Sequence, residues 1–173
     1  MNLKFLISLI LIFGLLIACN QPEQNTSAPA PDLKEQLKNY NPRDIDSTAP
    51  VQKISLSTIG NTIEELKQTP ERTIVKSGST IQLMFHNRSV AFQNNVVLVV
   101  PGYEDSIAQS GLKAFPGEGF LATGMLGLVM NGPMIPHGDS IQINFKAPPK
   151  GMYHFMCTYP GHYKHEQSIL IVE

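Results

Sequence analysis

From Val51 onward, apolar and polar residues alternate in short runs separated by turns rich in Gly and Pro, a period-two pattern that predicts strands. "VQKISLSTI" alternates and is β-branched. "RTIVKSGSTIQLMFHN" gives a short extended run, a turn at Ser77-Gly78, and alternation through Ile81, Leu83 and Phe85. "NNVVLVVPG" is an apolar run closed by Pro101-Gly102 and reads as a central buried strand. "DSIQINFKAP" alternates through Ile141, Ile143 and Phe145, "GMYHFMC" through Tyr153, Phe155 and Cys157, and "SILIVE" closes the chain. Several short strands punctuated this way predict an all-β sandwich or barrel. One stretch breaks the pattern: "YEDSIAQSGLKAFPGEGFLATGMLGLVMNGPM" is long, Gly- and Met-rich, and has room for one short helix near Glu104–Leu112.

The N-terminal part has a different texture. Lys4 precedes a run from Phe5 to Ala18 that is apolar apart from Ser8 and Gly14, of secretory-signal type and too short for a comfortable membrane span. It ends in Leu16-Ile17-Ala18-Cys19, which resembles a bacterial lipobox, with Cys19 as the lipidated residue. Residues 20–50 are polar and rich in Pro, Asn and Ser; "DLKEQLKNY" has room for a helical turn or two. The expected organisation is a signal peptide over 1–18, a lipidated N-terminus and flexible tether over 19–50, and one domain over 51–173. It places the protein outside the cytoplasm, anchored by lipid to a bacterial membrane and facing the periplasm.

Composition narrows the chemistry. With 13 basic and 14 acidic residues the net charge is −1, and no basic run exists, so nucleic acid is not an expected partner. Of two cysteines, lipidation would consume Cys19, leaving Cys157 without a disulfide partner in an oxidising compartment. On its strand Cys157 shares a face with Tyr153 and Phe155, which places the thiol at the lip of the core. Pro160-Gly161 then turns the chain so that His162 returns beside it. A thiolate with an imidazole suits copper, and two His, one Cys and a weak axial ligand make a blue-copper centre. No nucleophile elbow or nucleophile–base motif is present, so an enzyme is not expected.

"GMYHFMCTYPGH" resembles the ligand loop of the cupredoxins, nearest the azurin and auracyanin type. "TIVKSGSTIQLMFHN", "NNVVLVVPG" and "IPHGDSIQINFKAP" resemble other strand regions of that family. The resemblance spans roughly Val51 to Glu173. It implies a Greek-key β-sandwich of about eight strands, with one loop and short-helix insertion, holding one copper ion and passing single electrons between unknown redox proteins. Cys157 and His162 carry over as ligands. The family's first histidine falls on Asn94, or on Gln93 with a one-residue shift, and Asn95 matches the asparagine that follows it. The axial methionine position falls on Glu166, with Gln167 as the alternative. His137, which replaces the proline of a Pro-Gly turn, and His165, next to Glu166, are surrogates for the missing imidazole. His154, His86, Glu118 and the acidic pair at 104–105 are expected to face solvent. Two readings follow: a membrane-tethered electron carrier with a variant type 1 site, or a cupredoxin-fold protein that delivers copper or binds a partner without redox chemistry.

Overall fold

The period-two alternation forms two sheets. The computed structural model describes residues 32–114 and 124–173. In chain order it contains helix α1 (Leu33–Leu37), strands β1 (Val51–Ile59), β2 (Lys67–Thr69), β3 (Arg72–Val75), β4 (Thr80–Asn87) and β5 (Val97–Val99), helix α2 (Glu104–Lys113), and strands β6 (Leu128–Asn131), β7 (Ser140–Lys146), β8 (Gly151–Met156) and β9 (Gln167–Val172). One sheet has the order β2-β1-β4-β7 and the other β3-β9-β8-β5-β6. The pairs β1–β4 and β3–β9 are parallel, and the remaining pairs are antiparallel. This is the expected all-β Greek-key sandwich. β2 and β6 were not anticipated: β2 is a short polar edge, and β6 lies inside the Gly- and Met-rich stretch.

The core between the sheets is built from one face of each strand: Leu56 of β1, Leu83 and Phe85 of β4, Phe145 of β7, Tyr153 and Phe155 of β8, and Leu170 of β9 are all essentially inaccessible. Each large apolar side chain buried this way contributes about 1.5–3 kcal/mol. β5 is apolar on both faces because both are covered. Val96, Leu98 and Val100 enter the inter-sheet core. Val97 and Val99 pack with Met156 against Ile107 and Ala108 of α2 on the outside of the sheet. A strand buried on both sides loses its alternation, which accounts for the continuous run "VVLVV".

Two expectations are corrected. His154 lies on the outer face that α2 covers, and its Nδ1 is 2.6 Å from Glu104 Oε1 with both side chains largely buried. Neither residue is the free surface group that alternation alone predicts. Residues 32–50 are not a free tether. Leu33, Leu37 and Tyr40, spaced as one helical stripe, pack against the core. Tyr40 Oη donates to the Lys146 carbonyl at 2.5 Å, and Lys146 N to that of Pro42 at 2.8 Å. The signal peptide, Cys19, the first part of the tether and Glu118 lie outside the described residues.

Candidate metal centre

Several inward-facing stripes end in a polar residue at the same end of the sandwich. On β8 the stripe Tyr153, Phe155 continues into Cys157. On β1, Ile54 and Leu56 lead to Thr58, and on β4, Leu83 and Phe85 lead to Asn87, with Thr58 and Asn87 directly paired across the strands. Entering β9, Glu166 is in phase with buried Ser168, Leu170 and Val172. The loop between β8 and β9 then closes on itself. Tyr159 to His162 forms a turn in which His162 N donates to the Tyr159 carbonyl at 3.1 Å. Pro160 sets the first central φ, and Gly161, at φ +83°, occupies the left-handed position that a side chain resists. His165 N and Glu166 N both donate to the His162 carbonyl at 2.9 Å.

This backbone brings Cys157, His162 and Glu166 together, each fully buried, with one donor atom from each within 4.8 Å of the others. His162 Nδ1 lies 3.7 Å from Cys157 Sγ and 3.2 Å from Glu166 Oε2. Asn94, also fully buried, places Oδ1 2.7 Å from His162 Nδ1 and accepts from the Cys157 thiol at 3.7 Å. Asn95, the next residue, ties this strand entry to the loop: its Nδ2 donates to Thr158 Oγ1 and its Oδ1 accepts from Thr158 N, both at 2.8 Å. Tyr159 N donates to Cys157 Sγ at 3.4 Å, and Thr58 Oγ1 donates to Glu166 Oε1 in a short hydrogen bond. The His162 ring meets Phe92 edge-on at 5.1 Å and lies 4.6 Å from the Tyr159 ring. Among the described residues its Nε2 has no hydrogen-bond partner.

The remaining sequence-predicted candidates fall elsewhere. His137 and His165 are exposed. Gln167 is also exposed, out of phase with the inward stripe of β9, and its Nε2 donates to the Tyr163 carbonyl at 2.7 Å. Gln93 is exposed as well, so the geometry gathers Asn94 rather than its neighbour. Thr58 and Asn87 were missed by sequence reasoning. Their signal was a polar residue occupying the last inward position of an otherwise apolar stripe.

Electrostatics at this end are dominated by dehydration. Burial pushes the Cys157 thiol well above its ordinary range, and the neighbouring Glu166 carboxylate pushes it further, while amide hydrogen bonds from Asn95 and Tyr159 oppose the shift. Burial likewise raises Glu166, partly offset by hydrogen bonds from His162 and Thr58. Concentrated donors with few donatable protons between them suit a cation. Ligands held at about 2.3 Å (sulfur) and about 2.0–2.1 Å (nitrogen) around one tetrahedral ion sit about 3.5 Å apart. The observed thiol–imidazole separation of 3.7 Å fits that requirement, whereas His162 Nδ1 stands 3.2 Å from Glu166 Oε2 and 2.7 Å from Asn94 Oδ1, hydrogen-bond distances that a shared ion would open.

A two-sheet sandwich with thiolate, imidazole and carboxylate gathered at the mouth of one hairpin defines a class of small metal-centre β proteins. The chain belongs to the cupredoxin family. It is similar to auracyanin-A of Chloroflexus aurantiacus, with 33% identity over 116 residues that cover 66% of this chain and 72% of the relative. The solved structure of auracyanin A, described as a "blue" copper protein, matches with a TM-score of 0.64 and 28% identity, over 71% of this chain and 99% of that one. Dithionite-reduced auracyanin from Roseiflexus castenholzii matches with a TM-score of 0.63 and 28% identity, over 70% and 96% of the two chains. No family model matches the chain.

Proposed function

We propose that this protein is an extracytoplasmic electron carrier with a variant type 1 copper centre, tethered to a bacterial membrane through a lipidated Cys19. The observation that carries the reading is the buried convergence of Cys157, His162 and Glu166 in a sandwich of auracyanin type. Cys157, His162 and Glu166 would hold one copper ion. When bound, copper supplies a one-electron couple. The sandwich contributes rigidity: Asn95 and Thr158 fix the loop that carries the thiolate, Thr58 orients the carboxylate, and the packed strands keep water out. A preorganised, dry donor set changes little between oxidation states. A carboxylate in place of a thioether favours the divalent state and lowers the reduction potential. The lipid anchor would restrict the carrier to a redox protein donor and acceptor at the same membrane.

The second reading, a protein that holds or delivers copper without passing electrons, is favoured by the hard oxygen of Glu166 where the family has a thioether. Adding Cu(II) to the chain from Asn20 onward should produce intense thiolate-to-copper absorption in the visible region, together with the corresponding EPR signal. Cys157→Ser should abolish both. Reversible reduction by a one-electron mediator supports the carrier; a Cys157-dependent band that cannot be cycled supports the holder. A weak spectrum identical in wild type and variant would remove the thiolate from the site.

A further inference from the structure

Asn87 and Asn94 form a two-amide relay whose polarity is fixed from outside the centre. Asn87 Nδ2 directs its two protons at three backbone carbonyls, one of them shared: Phe92 at 2.8 Å, Ile135 at 3.2 Å and Pro136 at 3.0 Å. With its amine end so committed, Asn87 Oδ1 must accept. It does so from Ser89 N at 3.3 Å and from Asn94 Nδ2 at 2.8 Å. Asn94 Oδ1 is thereby aimed at His162 and Cys157, and it also faces Glu166 Oε2 and the Gln93 carbonyl, each at 3.0 Å with no proton between the oxygens, a gathering of lone pairs that a cation would relieve. The opposite orientation would offer the Asn94 amine to Glu166 Oε2 at 3.0 Å, to the Gln93 carbonyl at 3.0 Å and to His162 Nδ1 at 2.7 Å. It would also set two amide oxygens 2.8 Å apart with no proton between them. Leaving a buried acceptor unpaired costs about 1–3 kcal/mol. Turning Asn87 to relieve the clash would forfeit its hydrogen bonds to these carbonyls at once.

We propose that Asn94 Oδ1 is the fourth donor of the metal centre and that Asn87 is the positioning residue that holds it there. The inference rests on the metal-centre reading above. It adds a ligand class, an amide oxygen, at the position where the resemblance places an imidazole. The donor set is then one thiolate, one imidazole and two oxygens, which selects a divalent ion, Cu(II) or Zn(II), over Cu(I). The Asn94 amine, by donating to Asn87, polarises its own carbonyl toward the cation.

The test uses the full chain in detergent, with Cu(II), Zn(II) and Cu(I) affinities measured by competition against chromophoric chelators. Asn94→Leu preserves bulk but removes the oxygen, and should weaken both divalent ions by about tenfold or more while changing Cu(I) much less. Asn94→Asp retains an oxygen donor but sets its second oxygen against Asn87 Oδ1, so it should bind divalent ions more tightly than Asn94→Leu while falling short of full recovery. Asn87→Ala frees the amide to rotate; it should weaken Cu(II) by about tenfold and shift the thiolate–copper band. The double variant Asn87→Ala, Asn94→Leu should then bind no more weakly than Asn94→Leu alone, because Asn87 acts only through Asn94. If Asn87→Ala does not fold, the contrast between Asn94→Leu and Asn94→Asp decides. Divalent binding by Asn94→Leu as tight as wild type, or tighter, overturns the proposal. A wild-type chain without a Cys157-dependent band overturns the metal-centre reading itself, and the two failures are distinct.

Discussion

Replacing Thr58 by Val is the sharpest test of how the buried carboxylate is held. The two side chains have the same shape, and Thr58 is wholly buried, so packing is conserved while one hydroxyl is lost. That hydroxyl donates to Glu166 Oε1. Hydrogen bonds to charged groups contribute about 1.5–3 kcal/mol, against about 0.5–1.5 kcal/mol for neutral ones. The deficit therefore depends on whether Glu166 is ionised. Burial raises the folded-state value of Glu166 above its ordinary range. The apoprotein carries the stabilising effect of that shift in full below the ordinary carboxylate value and loses it as pH rises through the raised one. Thr58→Val removes one of the bonds opposing the shift, so it should destabilise the apoprotein by about 1 kcal/mol in mild acid and by about 2–3 kcal/mol once Glu166 ionises. Urea unfolding of wild type and variant at matched pH values across this range measures the difference, with the slope checked for two-state behaviour. In the same variant, Cu(II) affinity should fall roughly 10- to 100-fold near neutral pH, since the metal needs the ionised carboxylate. An unfolding deficit that is the same at every pH would refute the claim that Thr58 serves the charged form of Glu166.

Glu166→Met should raise the reduction potential and remove any acid-dependent change in the visible spectrum; an unchanged potential would exclude Glu166 from the axial position. Because the thiol and carboxyl are both raised in the absence of metal, Cu(II) binding should release protons, and apparent affinity should climb with pH until both groups are ionised. Titration in weakly buffered solution measures the release, and a pH-independent affinity would contradict it. Gly161→Ala forces a side chain into a left-handed turn with no steric neighbour closer than 3.7 Å, so the cost is conformational, about 1–2 kcal/mol. It should appear as a lower thermal midpoint and weaker metal retention; an unchanged midpoint would mean that the turn relaxes.

Much of the sandwich was legible because its inward stripes are apolar and regular. β1, β4, β7, β8 and β9 coincide with alternating runs, and the helix in the Gly- and Met-rich stretch lies where its short periodic segment begins. β2 was hidden because three polar-flanked residues carry no period, and β6 because four residues inside a long Gly- and Met-rich run are too short to show one. The site was half legible. Cys157 and His162 declare themselves through the Pro-Gly turn between them. The choice between Glu166 and Gln167 was also available in principle, since Glu166 keeps phase with Leu170 and Val172 and Gln167 does not. Thr58 and Asn87 were not recognised, because a single polar residue at a strand end resembles an ordinary exit to solvent until the opposing strands are known. The same blindness to neighbours misassigned His154 and Glu104, whose exposure is removed by a helix packed from elsewhere in the sequence. It also misassigned residues 32–50, whose polar composition conceals the stripe Leu33, Leu37, Tyr40.

The three grouped side chains, Cys157, His162 and Glu166, lie within ten residues of one another, and Asn94, the fourth donor proposed, lies 63 residues before the cysteine. Such a segment can chelate without its scaffold. A denatured chain would keep a thiolate, an imidazole and a carboxylate close enough to share an ion, so part of the binding energy survives unfolding. Ligands that also bind the unfolded chain shift the folding equilibrium by less than their affinity suggests. The metal should therefore protect this fold less than an ion whose donors are spread across the sandwich, and the cargo should outlast the architecture on denaturation.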